Sequence, residues 1–339
     1  MHTLHLEIFK SFYKVTSNDP KVIERIALDF SYFITEVIPL SPAESVEIMV
    51  ETPPWNIIPP LVAKKQTDTS IIYEEGNIRY NDYHGQALTT VNQKDKRSVI
   101  YSLDLNLAHE LGYLLILSKS GKEMDLKGLH KVHAMGLQLT GVNLIMISPS
   151  KGGKSTHFLE LLNDPDFKIY SDDTPVIDGQ GNIFAFPLRV GIEEGAPLPS
   201  FVDNSKIYHL VRRKFGQKTL IPLTAMGREI ANFNKLQRTI LVVGKRSRKS
   251  SPELKAVSNL VMLPYLVQYM IVGIGLPMIL EYFFEAGIKD IFKRFVIISK
   301  RTLAAINLMF HSEKYIMEMT SDIKANSSLI VELLKNEHG

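Results

Sequence analysis

Residues 142–162 read VNLIMISPSKGGKSTHFLELL. Four uninterrupted apolar residues, Leu144 to Ile147, precede a loop rich in glycine, and a helical apolar pattern follows it. That order predicts strand, loop, helix. Gly152, Gly153, Lys154 and Ser155 supply the end of the phosphate-binding pattern G-x-x-x-x-G-K-[ST]. Such a loop works because successive backbone N–H groups converge on an anion at the positive end of a helix. Ser150, Lys151, Gly152, Gly153, Lys154, Ser155 and Thr156 are therefore expected to line the phosphates. Lys154 would reach the β and γ phosphates, and Ser155 would ligate Mg²⁺. Ser148 stands where the pattern has its first glycine, which a serine can replace if φ stays negative. Lys151 stands where many such loops carry a further glycine.

The second chemical signal lies 17 residues beyond Ser155, in YSDDTPVI. Asp172 and Asp173 follow the short apolar strand FKIY. At a strand end the backbone can turn, so both carboxylates can approach the phosphates. One of them, Asp172, would position the metal. The other, Asp173, would accept the proton of an attacking hydroxyl. Further along, FPLRVGIEEG offers Arg189 for phosphate or substrate and Glu193 as another metal ligand, although an exposed loop with ordinary charges reads the same way. HLVRRKFGQKTLIPL clusters Arg212, Arg213, Lys214 and Lys218, which could clamp a triphosphate or an acidic substrate, with Lys218 the first to test, although a solvated basic face reads the same way.

Composition narrows the remaining classes. Basic and acidic side chains number 39 and 36, a balance that gives no footprint for nucleic acid. The chain has no cysteine, which excludes disulfides, thiolate metal sites and thiol nucleophiles. The N-terminus MHTLHLEIFKSFYK lacks the pattern of a secretory signal, so the expected compartment is cytoplasmic. Residues 260–280 carry no formal charge and are long enough to span a bilayer, but Pro264, Gly273, Gly275 and Pro277 favour two short buried helical pieces. Membrane attachment is not expected.

The run from His133 to Asp178 resembles the core of the HPr kinase/phosphorylase family and its kinase-like relatives. These share a phosphoenolpyruvate-carboxykinase-like nucleotide fold. His133, Gly141, Ser150, Gly153, Lys154, Ser155, Asp172 and Asp173 fall at the family's spacings. The resemblance is close over about 50 to 70 residues. It implies ATP- and Mg²⁺-dependent phosphoryl transfer to a hydroxyl, with His133 beside the aspartates tuning their charge. His130 and His157 are expected to be ordinary surface or packing histidines. Ser148 and Lys151 depart from family glycines. Nothing downstream resembles the segment by which true HPr kinases bind HPr, so HPr is not the expected acceptor. The first 120 residues do not look like the family's N-terminal domain either.

The expected architecture is α/β: a mixed region over 1–122, a P-loop core over 123–245, and a helical segment with a final strand and helix over 246–339, with one continuous domain as the alternative. The expected activity is a kinase acting on a serine or threonine of a peptide or protein, or on a small-molecule hydroxyl. The alternative is a non-catalytic, nucleotide-responsive scaffold, which the altered loop glycines and the apolar region 260–280 would suit. Self-association follows from the resemblance alone.

Overall fold

Alternation of apolar residues along the early chain produces a large mixed sheet. The computed structural model describes residues 1–149, 152–212, 216–276 and 288–336. The chain is mixed α/β and divides into two compact units, Met1–Ser120 with Leu210–Gln217, and Gly121–His209 with Lys218–Gly339.

In the first unit, β1 (His2–Ile8) and β2 (Ser11–Ser17) form an antiparallel hairpin. The partial alternation of LHLEIFKSFYKV reads as a single strand. The turn uses Phe9 and Lys10 at φ 47° and 61°, a conformation usually announced by Asn or Gly, so the signal was absent. Helix α1 (Pro20–Asp29) starts where expected: Asp19 accepts from the Lys21 amide at 2.8 Å, and proline fills the first turn. Val22 and Ile26 are its buried apolar stripe. Strands β3 (Glu44–Met49), β4 (Lys65–Gln66), β5 (Ile71–Glu75), β6 (Ile78–Asp82), β7 (Leu88–Asn92) and β8 (Arg97–Tyr101) complete an eight-stranded sheet of order β1-β2-β3-β8-β7-β6-β5-β4. The turn at Gly76 joins β5 and β6, as the pattern indicated. The pattern DLNLAHELGYLLILSKSG reads as a helix stopping near Gly121, but helix α2 (Leu105–Leu126) runs on to Leu126. One interior glycine costs a helix only about 1 kcal/mol. The left-handed residue that follows the helix is Gly128, at φ +78°.

The rest of the chain supplies β9 (Leu129–Lys131), β10 (Ala134–Leu139), β11 (Val142–Ile147), α3 (Lys154–Leu161), β12 (Lys168–Ser171), β13 (Val176–Asp178), β14 (Ile183–Phe184), β15 (Val190–Glu193), β16 (Tyr208–Arg212), β17 (Gly216–Ile221), β18 (Thr239–Arg246), β19 (Glu253–Ala256), α4 (Asn259–Leu266), α5 (Ile288–Phe310), β20 (Glu313–Met319) and α6 (Ile323–Lys335), all in the second unit except for the stretch 210–217 of β16 and β17. Its central sheet has the order β12-β10-β11-β18-β20-β19. Strands β11, β18 and β20 are mutually parallel. The apolar runs Leu144–Ile147 of β11 and Ile240–Val243 of β18 are continuous because both faces are covered. Leu144, Met146, Ile240 and Val242 pack with Phe158 and Leu162 of the α3 region and with Ile330 and Leu333 of α6. Ile145, Ile147, Leu241 and Val243 pack on the other side with Met262, Leu266, Ala304 and Leu308.

The expected hairpin turning at Thr140-Gly141 is present. The pattern FKIYSDDTPVIDGQGNIFAFP reads as two strands, but the stretch holds three short ones, β12, β13 and β14. A bend in which the Thr174 amide donates to Ser171 Oγ at 3.0 Å separates β12 from β13, and β13 joins β9 and β14 in a separate small sheet. The basic run after Gly244 continues β18 through Arg246 before its exposed loop begins. In the region 260–280, α4 is followed by a π-helical turn, Val267–Ile271, and Met262, Leu266, Tyr269 and Met270 are buried. Pro277 and the residues after it lie outside the described residues. Among the described residues no helix is long and apolar enough to cross a membrane.

Close packing makes one glycine decisive. A Cβ at Gly136 on β10 would lie 2.9 Å from Tyr170 Cβ and 3.1 Å from Pro175 Cβ, neither of which can swing away. Gly136→Ala is expected to destabilise the protein by about 1–3 kcal/mol. Chemical denaturation checks this: the midpoint should fall with the slope unchanged.

Candidate functional site

The end of β11, the start of α3 and the end of β12 meet at one place. Gly153 precedes α3 in a left-handed conformation, φ +88°, which turns the chain into the helix. Gly152 is required for a different reason. A Cβ there would meet the Pro149 carbonyl oxygen at 2.6 Å, while its own amide donates to that oxygen at 2.8 Å. Ser148, at the missing-glycine position, is fully buried. Ser150 and Lys151 lie outside the described residues. Thr156 is exposed on the first turn of α3.

Lys154 is 8% exposed, and its ammonium faces three groups. It lies 2.7 Å from His133 Nε2, 3.3 Å from Asp173 Oδ1, and donates to the Ser148 carbonyl at 3.3 Å. An ammonium has only donors, so His133 Nε2 accepts and the ring proton sits on Nδ1. That nitrogen is 3.1 Å from Asp173 Oδ1, close but off the hydrogen-bond direction. His133 is thus brought to the carboxylates.

The two aspartates have different surroundings. Asp172 is buried, and its Oδ2 accepts from Ser155 Oγ at 2.9 Å. Burial, and then the neighbouring Asp173 charge, push its carboxyl up to about 7, against smaller opposing effects of Ser155, Lys154 and Lys218. Asp173 keeps 43% of its side chain exposed. Desolvation raises it, but His133 and Lys154 outweigh that and hold it below the ordinary carboxylate range. The Asp173 carbonyl accepts from the Ala134 amide at 3.1 Å, fixing the strand end beside His133.

Two buried polar atoms, Asp172 Oδ1 and Ser148 Oγ, have no hydrogen-bond partner among the described residues. Unpartnered buried oxygens cost stability unless a ligand completes them. Ser155 and Asp172 present hard oxygen donors, the kind Mg²⁺ takes together with substrate phosphates and waters. The residues therefore fit that ion. Glu193 does not join them in a preformed ligand set: it is an exposed end of β15, opposite Lys218 of β17 in the strand register. No group of three or more His, Cys, Asp or Glu side chains able to hold a metal occurs among the described residues.

Arg189 is 8% exposed and donates to the Tyr208 hydroxyl at 3.0 Å. Lys218 is close enough to Asp172 to lower its carboxyl. Arg213 and Lys214 lie outside the described residues. His157 and His130 are buried packing residues. His157 Nδ1 donates to the Gly153 carbonyl at 2.8 Å, and its Nε2 accepts from Asn326 Nδ2 at 3.1 Å. Burial lowers its basicity and keeps it neutral. Asn326, on α6, thereby braces the loop, and nothing in its sequence context signals this.

No protein-family model and no curated protein sequence matches the chain.

Proposed function

We propose that the second unit is a P-loop kinase core of the HPr-kinase and phosphoenolpyruvate-carboxykinase type. It would transfer the γ-phosphate of ATP, with Mg²⁺, to a serine or threonine hydroxyl or to a small-molecule hydroxyl. The observation that carries the reading is the meeting of Lys154, Ser155, Asp172 and Asp173 within hydrogen-bond or ion-pair distance at the N-terminus of α3.

Each group has a distinct part in it. Amides at the start of α3 and the Lys154 ammonium bind the phosphate tail. Ser155 and Asp172 would hold Mg²⁺, which when bound neutralises charge on the transferring phosphoryl group. Asp173, ionised and half-exposed, is the carboxylate that can face an incoming hydroxyl and take its proton. His133 orients Asp173 and Lys154 through its two ring nitrogens. Lys218 adds positive potential beside Asp172, and Arg189 would add a second cation for phosphate or substrate.

The test is γ-labelled ATP with Mg²⁺ against a panel of serine- and threonine-containing peptides and small alcohols. Label should pass to at least one acceptor, and Asp173→Ala should lower the rate about 10²-fold, within the range for loss of a general base. Undiminished transfer by Asp173→Ala removes it as the base. Tight ATP binding with no product from any acceptor would favour the nucleotide-responsive scaffold instead.

A further inference from the structure

Resting on that reading of the site, we infer that residues 267–275 form a cap that positions His133, and that the buried Asp125–Arg301 pair anchors it. The cap touches His133 in three ways. The His133 amide donates to the Tyr269 carbonyl at 3.0 Å. Its ring stacks on Tyr269, with centroids 6.1 Å apart and planes at 27°. Gly275, at φ +91°, closes over the same ring so tightly that a Cβ would lie 2.6 Å from both Cδ2 and Nε2. Nε2 is the atom that receives Lys154.

The anchor is shared. Arg301 of α5 is 2% exposed and grips Asp125 with two nitrogens, Nε to Oδ1 at 3.0 Å and Nη2 to Oδ2 at 2.7 Å. Its remaining terminal nitrogen donates to the Met270 carbonyl in the cap at 2.7 Å. Asp125 Oδ1 also lies 2.8 Å from Nδ1 of His130, on the strand that leads into His133. Burial pushes Asp125 up, but Arg301 and His130 outweigh it and keep it ionised. One carboxylate thus holds both the cap and the strand beneath it. Only a planar fork can serve Asp125 and Met270 together, which makes arginine specific at this position. Gly275, Asp125 and Arg301 are positioning residues: they touch neither phosphate nor acceptor, and act by presenting the Nε2 lone pair to Lys154 and holding Nδ1 beside Asp173.

The experiment reads His133 itself, without nucleotide. Imidazole ¹⁵N resonances of the full chain should show His133 in one tautomer, protonated at Nδ1. Gly275→Ala should convert this to a mixture and raise exchange of the His133 amide about tenfold. Gly227→Ala also sits at positive φ but has nothing within 4 Å, so it controls for backbone strain and should leave both signals unchanged. Arg301→Lys, which keeps the charge and loses the fork, should reproduce the Gly275→Ala change and decides the matter if that variant does not fold. ATP affinity should fall about tenfold in both. Unaltered His133 resonances in Gly275→Ala or Arg301→Lys, or the same change in Gly227→Ala, overturn the inference. Failure of the parent to bind ATP would end the proposed function, while the resonances would still decide the cap.

Discussion

Lys154→Met is expected to weaken binding of ATP with Mg²⁺ at least 100-fold and to lower phosphoryl transfer about 1,000-fold. The lysine is almost wholly buried, and its ammonium already faces a carbonyl, an imidazole and a carboxylate. A phosphate tail entering the loop would meet a cation in low-dielectric surroundings, where a charge-assisted hydrogen bond is strong. Removing one partner of such a buried contact costs about 2–5 kcal/mol, and each 1.4 kcal/mol is tenfold. Methionine keeps the volume and loses the charge, so packing is not what changes. Isothermal calorimetry reads the binding, and labelled ATP the transfer. Parent-like affinity in this variant would place the nucleotide elsewhere.

Asp172→Asn is expected to abolish metal-dependent transfer, by about 1,000-fold, and at the same time to stabilise the ligand-free protein. The sign follows from where the carboxyl titrates. In the unfolded chain it ionises near its ordinary value, 3.8, whereas the folded protein raises it to about 7. Between those values the folded state binds the extra proton, so stability falls as pH rises through that window. About three pH units correspond to an upper figure of about 4 kcal/mol at pH 8, lost to keeping a buried carboxylate charged. Asparagine carries no such charge. The variant should therefore unfold later than the parent at pH 8 and almost together with it at pH 4, as denaturant titrations at the two values would read. Equal gaps at both values would mean that Asp172 is not raised by burial.

The strand–loop–helix over residues 142–162 was legible because the apolar run Leu144 to Ile147 followed by a glycine-lysine loop has few alternative structures. Asp172 and Asp173 were legible because a short apolar strand ended on them. What separates the two carboxylates was not: adjacent residues in one turn differ in burial because Ser155 lies beside one and solvent beside the other. The metal role offered to Glu193 rested on local charge alone, and the strand register puts it opposite Lys218 instead. Tyr269, Gly275, Arg301 and Asn326 reach the site only through folding of distant chain, and no local pattern distinguishes a glycine that closes over a ring from one that merely turns. The hairpin at Phe9-Lys10 escaped for the opposite reason: its turn residues are ones that turns rarely use.

The order β11-β18-β20 has a consequence for how the protein is made. These three parallel neighbours begin at Val142, Thr239 and Glu313. The strand that completes the row is therefore synthesised well after the other two. Until it arrives, β18 offers an unpaired edge with a fully apolar run, Ile240 to Val243, the kind of surface that recruits other chains. Synthesis of this unit passes through an interval in which the loop that would hold phosphate already exists as sequence while the sheet that shapes it is still open on one side.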